Sequence, residues 1–341
     1  MAVFDYHIEA YFLKHTLRTI GLAWMAGMFL AACAASPTTG PTPVTGLAAP
    51  GTATQQPTAS SPIADIPGAT ATPQPAATPS SGATRPAPAT PTNAEVAEPA
   101  GCKHPSGHMV ISSLETSLLN KPLDYRVYLP PCYEEQTGQR YPVLYLVHGQ
   151  SYNDDQWDRL GADEAAGRLI AAGEIAPLIL VMPRDRVWSQ PDEDMFGRAV
   201  VEELIPFIDK HYRTQADRSH RAVGGLSRGA GWAVHLGLSQ WKLFSAFGAH
   251  SAATFWTDAL QFRTWLKEIP AGSLPRIYLD AGDHDRPEIL DAAQRFEALL
   301  TQFGIPHEWY LFPGYHDEAY WSAHVEKYLR WYASPWGEEL P

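Results

Sequence analysis

The feature that most constrains this sequence is a serine flanked by glycines at the junction of an apolar strand pattern and a helical pattern. Residues 222–226 predict a buried strand and residues 228–238 predict a helix. Around this junction Gly225, Ser227 and Gly229 have the spacing G-x-S-x-G. In so sharp a turn the serine takes a strained conformation that projects its hydroxyl, and glycine two residues to either side avoids a clash. Ser227 is therefore the candidate nucleophile, and the alternative is a glycine-rich turn with an incidental serine.

Strand and helix patterns alternate through residues 101–336, which we expect to form one catalytic domain. Further strand patterns occupy residues 124–129, 141–148, 176–182, 243–249, 275–281 and 307–312, and helical patterns occupy residues 157–173, 197–212, 256–267, 287–303 and 317–331. The alternation predicts an α/β fold with a mostly parallel central sheet and helices on both faces. No insertion is long enough for a large lid domain. Functional groups on such a sheet lie beyond the carboxyl ends of the strands.

A serine hydroxyl needs a base to act as a nucleophile, usually an imidazole oriented by a carboxylate. His316 follows the last strand pattern across a Pro-Gly turn, so it is the predicted base. The loop after the preceding strand pattern offers Asp283 and Asp285. We favour Asp285 as the acid because the longer loop lets it reach the imidazole, and Asp283 is the alternative.

The oxyanion of an acyl-transfer reaction needs two hydrogen-bond donors. One is predicted to be the backbone amide of Arg228, at the start of the helix. The other is expected in the segment after the strand at 141–148, where Gly149 lets the chain turn closely past a substrate. We choose the amide of Gln150, with Ser151 as the second choice.

Pocket and metal residues are less well indicated. His148 and His250 end predicted strands, and Trp188 and Trp256 lie in segments that follow strands, so these four are candidate pocket residues. The alternative for such side chains is a place in the core or as loop anchors. His104 and His108 are four residues apart, but without a helical pattern or a nearby carboxylate in the sequence we predict no metal site and no cofactor.

The first hundred residues differ in composition from the rest. Residues 1–32 resemble a signal peptide that ends in Leu-Ala-Ala before Cys33, which is similar to the lipobox of bacterial lipoproteins. Residues 33–100 are rich in Pro, Thr, Ala, Ser and Gly and predict a disordered tether. We expect a lipid on Cys33 and a domain outside the cytoplasm, in the periplasm or at the cell surface. An ordinary secretory signal or an uncleaved anchor is the alternative.

The other two cysteines and the charge agree with export. Cys102 and Cys132 form an even pair that predicts a disulfide, with two separate buried thiols as the alternative. The net charge of the chain is −12, and most of it falls on residues 101–341. An acidic domain without a basic stripe argues against nucleic acid, and it leaves the N-terminal lipid as the expected contact with a membrane.

These motifs together resemble the putative-esterase family of α/β-hydrolases, which includes S-formylglutathione hydrolases, feruloyl and enterochelin esterases and antigen 85-type mycolyltransferases. The motifs are Leu-Val-His-Gly at 146–149, Gly-Gly-Leu-Ser-Arg-Gly at 224–229, Gly-Asp-His-Asp at 282–285 and Pro-Gly-Tyr-His at 313–316. The resemblance covers residues 108–333. It implies Ser227, Asp285 and His316 as a triad and the amides of Gln150 and Arg228 as the oxyanion hole. The chain departs from the family pattern in Arg228 and Ala230, where Met and Gly are frequent.

The function that the resemblance implies is hydrolysis of a small-molecule or glycan-linked ester through an acyl-enzyme. Transfer of the acyl group to a sugar or glycan hydroxyl is the alternative, because the triad does not select the acceptor. A catalytically silent surface binding module is a third interpretation. The sequence does not specify the ester or the oligomeric state.

Overall fold

The central feature of the fold is a single eight-stranded sheet. A computed structural model of the chain describes residues 101–337. The strands are β1 (His108–Leu114), β2 (Leu123–Leu129), β3 (Val143–Val147), β4 (Ile179–Pro183), β5 (Arg221–Leu226), β6 (Ala246–His250), β7 (Arg276–Gly282) and β8 (Glu308–Phe312). Their order is β1-β2-β4-β3-β5-β6-β7-β8, and β2 is antiparallel to both of its neighbours while β3 to β8 run parallel. The prediction of a mostly parallel sheet is confirmed.

Helices connect the parallel strands. They are α1 (Gln156–Arg159), α2 (Ala162–Ala171), α3 (Phe196–Ala199), α4 (Ile205–His211), α5 (Arg228–Ser239), α6 (Trp256–Ala259), α7 (Phe262–Glu268), α8 (Pro287–Gln302) and α9 (Glu318–Ala333). A π-helical segment, Val200–Leu204, joins α3 to α4, and short 3₁₀ turns occupy Ala271–Ser273 and Ser334–Trp336. No helix within residues 101–337 has the length and apolar character needed to cross a bilayer.

The sheet has a hydrophobic layer on each face. Successive side chains of a strand point to opposite faces, so Val223 of β5 joins one apolar cluster and Ala222 joins the other. The first cluster also receives α5 and α8, and the second receives α2 and α9. Helices therefore cover both faces of the sheet, and the central strands β3 to β6 are fully buried.

Two helical predictions were too long. The pattern at 157–173 is two helices, because Gly161 between α1 and α2 takes φ +83°, which a helix interior does not allow. The pattern at 256–267 divides into α6 and α7. The pattern at 197–212 is one continuous helical run from α3 through the π segment to α4, so that prediction is confirmed. Periodicity alone does not distinguish one helix from two that share an apolar face.

A disulfide fixes the beginning of the domain. It joins Cys102 to Cys132, and the amide of Cys132 also donates to the carbonyl of His104 at 3.1 Å. Closing a loop of 30 residues stabilises a fold by about 3.6 kcal/mol. The predicted signal peptide, Cys33 and the tether lie outside the described residues.

Candidate active site

The strand β5 and the helix α5 meet at Ser227 in a strained turn. Ser227 has φ 54° and ψ −119°, and its amide donates to the carbonyl of His250 at 2.9 Å. A Cβ on Gly225 would lie 2.2 Å from the carbonyl carbon of Gly229, and a Cβ on Gly229 would lie 2.1 Å from the oxygen of Val147. Larger residues at either position would clash with backbone, which explains why the serine is flanked by glycines.

The structure brings the three predicted triad side chains into one hydrogen-bonded relay. Nε2 of His316 lies 2.9 Å from Oγ of Ser227, and Nδ1 of His316 lies 2.7 Å from Oδ1 of Asp285. The side chain of His316 is 7% exposed and that of Asp285 is fully buried. The indole ring of Trp321 meets the imidazole edge to face at 5.0 Å and supports its orientation. This arrangement can move a proton from the hydroxyl to the imidazole while the carboxylate stabilises the resulting charge.

The two candidate aspartates occupy different places in one loop. Oδ1 of Asp285 accepts from the amide of Arg286 as well as facing His316. Asp283 instead accepts from the amide of Gly314 at 3.0 Å and from the ring of His284 at 2.6 Å. Asp283 therefore fastens the turn that carries His316, and only Asp285 contacts the imidazole.

The loop after β3 passes beside the nucleophile. A Cβ on Gly149 would lie 3.6 Å from the Cβ of Ser227. The amide of Gly149 donates to Oε1 of the buried Gln156 at 2.8 Å, and Nε2 of Gln156 donates to Glu318 at 3.1 Å. The amide of Gly149 is therefore already used. Donation by the next amide, that of Gln150, to a substrate oxygen remains a prediction. Sequence reasoning missed Gln156, which had no motif to mark it.

The prediction that the rings of His148 and His250 line the pocket is wrong. His148 is buried; its Nε2 accepts from the amide of Asp185 at 2.9 Å, so Nδ1 carries the proton and donates to the carbonyl of Gly149 at 2.7 Å. Burial lowers the pKa of His148, so the ring stays neutral. His148 thus joins the loops that follow β3 and β4.

His250 is the last residue of β6, and its side chain is fully buried beneath the sheet rather than exposed at the strand end. Its Nδ1 lies 2.6 Å from Oδ1 of Asp280, its Nε2 lies 3.2 Å from the hydroxyl of Tyr332, and its ring stacks on Tyr328 at 3.7 Å. The side chain is occupied by these partners in the layer beneath the sheet.

The side chain of Arg228 makes buried contacts that the sequence did not indicate. It extends from the start of α5 into the loop after β4, where Nε donates to Asp185 at 2.7 Å and Nη2 donates to Asp194 at 2.9 Å. Nη2 also donates to the carbonyls of Val187 and Ser189, at 2.7 and 2.9 Å. One buried guanidinium therefore holds most of residues 185–194, while the amide of the same residue begins the helix beside Ser227.

The two tryptophans predicted at the pocket are exposed on neighbouring loops. Trp188 is 62% exposed in the segment held by Arg228, and Trp256 is 59% exposed at the start of α6. Oε1 of Gln190 lies 3.5 Å from the amide of Thr257 and 3.4 Å from its hydroxyl, which joins the two loops. Substrate contact by either ring remains a prediction.

Within residues 101–337, one group of side chains has metal-ligand spacing, and it lies outside the relay. It comprises His104, His108 and Glu134.

Curated proteins with a similar sequence are named as esterases. An endo-1,4-beta-xylanase/feruloyl esterase of Xylanibacter ruminicola is 32% identical over 205 residues, which are 53% of this chain and 26% of that protein. Esterase Rv1288 of Mycobacterium tuberculosis is 27% identical over 254 residues, which are 59% of this chain and 54% of that protein. The chain therefore spans about a quarter and about half of the lengths of these relatives.

Solved structures show the same fold. A ferulic acid esterase superposes with a TM-score of 0.60 at 26% identity, covering 67% of this chain and 98% of that one. The S-formylglutathione hydrolase FrmB of Staphylococcus aureus superposes with a TM-score of 0.54 at 18% identity, covering 67% of this chain and 97% of that one. The predicted α/β-hydrolase fold is confirmed. The model of the family described as "Putative esterase" matches residues 116–332, more than half of the chain, and the chain belongs to that family of α/β-hydrolases.

Proposed function

We propose that the chain is a serine carboxylic-ester hydrolase that works through an acyl-enzyme. The observation that carries the proposal is the relay from Ser227 through His316 to Asp285, with donor–acceptor distances of 2.9 and 2.7 Å. Oγ of Ser227 attacks the acyl carbon while Nε2 of His316 takes its proton, and Asp285 stabilises the imidazolium. The amides of Gln150 and Arg228 donate to the oxyanion of the tetrahedral intermediate.

The same groups complete acylation and then carry out deacylation. Nε2 of His316 returns its proton to the alcohol oxygen as the ester C–O bond breaks, which leaves the acyl group on Ser227. A water molecule then gives a proton to His316 and attacks the acyl carbon, so that the acid leaves and the serine recovers its hydrogen.

The acyl group that we propose is aromatic, of the hydroxycinnamoyl class. Two relatives are named as feruloyl or ferulic acid esterases, and Trp188 and Trp256 of this chain are exposed on loops that follow strands of the sheet. Each aromatic contact contributes about 0.5–1.5 kcal/mol beyond its buried area.

The test is an ester panel on the purified full chain. We expect kcat/KM for methyl ferulate to exceed that for methyl octanoate about tenfold, as two aromatic contacts predict. The preference for methyl ferulate should shrink in Trp188→Leu and Trp256→Leu, measured against Trp241→Leu as a control at a partly buried position outside the site.

Equal rates on both esters would exclude the aromatic class while leaving ester hydrolysis in place. No turnover of any ester, together with no labelling by a fluorophosphonate, would favour the silent binding module, and a new ester formed when an alcohol is added would identify a transferase.

We also propose that the enzyme is exported and held at a membrane by a lipid on Cys33. The disulfide between Cys102 and Cys132 supports an oxidising compartment. Cells that express the wild-type chain should incorporate an alkyne-labelled palmitate into it, and Cys33→Ser should lose the label and leave the membrane fraction. Equal labelling of the variant would exclude lipidation at this cysteine.

A further inference from the structure

A cluster of two histidines and a glutamate lies beside the disulfide at the beginning of the described chain. One potential ligand atom from each of His104, His108 and Glu134 lies within 4.8 Å of the other two. Nε2 of His108 lies 3.3 Å from Oε1 of Glu134, and the two imidazole rings are 4.2 Å apart. The sequence prediction of no metal site rested on the lack of a helical pattern and of a carboxylate nearby in the sequence, but the fold supplies a carboxylate because it brings Glu134 to both histidines.

One imidazole nitrogen of the cluster makes no hydrogen bond within the described residues. Nδ1 of His108 is buried and finds no hydrogen-bond partner among residues 101–337. A buried polar atom without a partner destabilises the fold. A metal ion is one ligand that uses the lone pair of an imidazole, since either ring nitrogen can coordinate.

The backbone around the cluster is held independently of any ion. Cys102 and Cys132 are covalently joined, and the amide of Cys132 donates to the carbonyl of His104 at 3.1 Å. His108 is paired with Leu129 as the first residue of β1. The three side chains therefore come from fixed positions, so that binding requires little ordering of the chain.

We propose that His104, His108 and Glu134 bind a Zn²⁺ ion. Two imidazole nitrogens and one carboxylate oxygen are a ligand set that zinc accepts, with a water molecule in the fourth position. Ligand atoms about 2.1 Å from a tetrahedral zinc are about 3.4 Å from one another, so the side chains need only rotate towards a common point from their present separations. The ion joins the first segment of the domain to the turn after Cys132. It shares no residue with the Ser227 relay, so its role is to hold these segments together.

The test uses the full chain without an affinity tag, stripped with a chelator and titrated with ZnCl₂ in a calorimeter. We expect a strong site with one equivalent of Zn²⁺ in the wild type, absent from His104→Ala and His108→Ala and at least tenfold weaker in Glu134→Gln. At a free zinc concentration a hundredfold above Kd, the wild-type Tm should rise by about 5–10 °C. His211→Ala is the matched control, because that exposed histidine stacks on Phe207 outside the cluster, and its zinc binding should equal that of the wild type.

Two results would overturn the proposal. One is a wild-type chain that binds no zinc, and the other is a set of cluster variants that bind it as tightly as the wild type. Circular dichroism without metal shows whether each variant is folded. If an alanine variant is not, Glu134→Gln decides, because it exchanges one exposed carboxylate oxygen for an amide of the same shape.

Discussion

Replacing Ser227 by alanine should lower kcat for ester hydrolysis by about 10⁴- to 10⁶-fold and abolish labelling by a fluorophosphonate. The variant keeps the Cβ and the strained backbone and loses only the hydroxyl that lies 2.9 Å from His316. Its fold should be unchanged, so that the rate falls while the Tm does not. Measured ester turnover within tenfold of the wild type would exclude Ser227 as the nucleophile and, with it, the proposed mechanism.

The two aspartates of the same loop provide an internal control for that experiment. Asp285→Asn should lower kcat by about 10⁴-fold, because an asparagine at Nδ1 of His316 stabilises the wrong tautomer and no longer balances the imidazolium charge. Asp283→Asn removes an exposed carboxylate that only fastens the amide of Gly314 and the ring of His284, so we expect less than a tenfold loss. The reverse order of effects would assign the acid to Asp283.

The parts of the site that could be predicted from the sequence are those with a local steric or topological cause. The glycines beside Ser227 are required by backbone at about 2 Å from any added Cβ, so they leave a fixed spacing in the sequence. His316 and the aspartate loop follow the last two parallel strands, whose carboxyl ends meet at one edge of the sheet. These positions follow from strand order alone.

What the sequence did not indicate depends on contacts between distant segments. The strand patterns that end at His148 and His250 do not reveal which way the last side chain turns, and both rings turn into the protein. The strand β1 was missed because it is an edge strand paired only with β2 and only partly buried, so its apolar pattern is weak. The polar network around Arg228 joins residues more than thirty positions apart, and no spacing rule predicts such a network.

Replacing Arg228 by methionine should remove the cation of that network and lower the free energy of unfolding substantially. The side chains of Asp185 and Asp194 are 2% and 0% exposed, and methionine would leave both buried without a cation. Removing one partner of a buried ion pair costs about 3–5 kcal/mol. We expect that decrease in the free energy of unfolding in urea at pH 8. The matched control is Arg198→Met, which breaks an exposed ion pair with Glu202 and should have no measurable effect.

The loss of stability in Arg228→Met should depend on pH if its cause is uncompensated charge, and should not if its cause is lost packing. Burial, with the adjacent Asp185 carboxylate as the next cause, raises the pKa of Asp194 to about 6 even though the guanidinium opposes the shift. Without the guanidinium the folded-state pKa of this carboxyl rises further, while the unfolded-state pKa stays at ~4. The folded protein then binds a proton that the unfolded chain has released, so stability falls as the pH rises from ~4 through the folded-state pKa. The deficit of Arg228→Met should therefore be smaller at pH 5 than at pH 8, whereas a deficit due to packing alone would be the same at both.

Neutralising Asp185 and Asp194 in the Arg228→Met variant separates the effect of their uncompensated charge from that of the lost hydrogen bonds. Adding Asp185→Asn and Asp194→Asn to Arg228→Met removes the uncompensated charges, and we expect the triple variant to recover part of the lost stability and to lose the pH dependence. Arg228→Met should also lower kcat/KM, because residues 185–194 lose the four hydrogen bonds that the guanidinium donates to them. The triple variant still lacks these bonds, so its kcat/KM should not recover. If Arg228→Met were as stable as the wild type at pH 8, the buried carboxylates would have another source of charge balance and Arg228 would not be the residue that holds this loop.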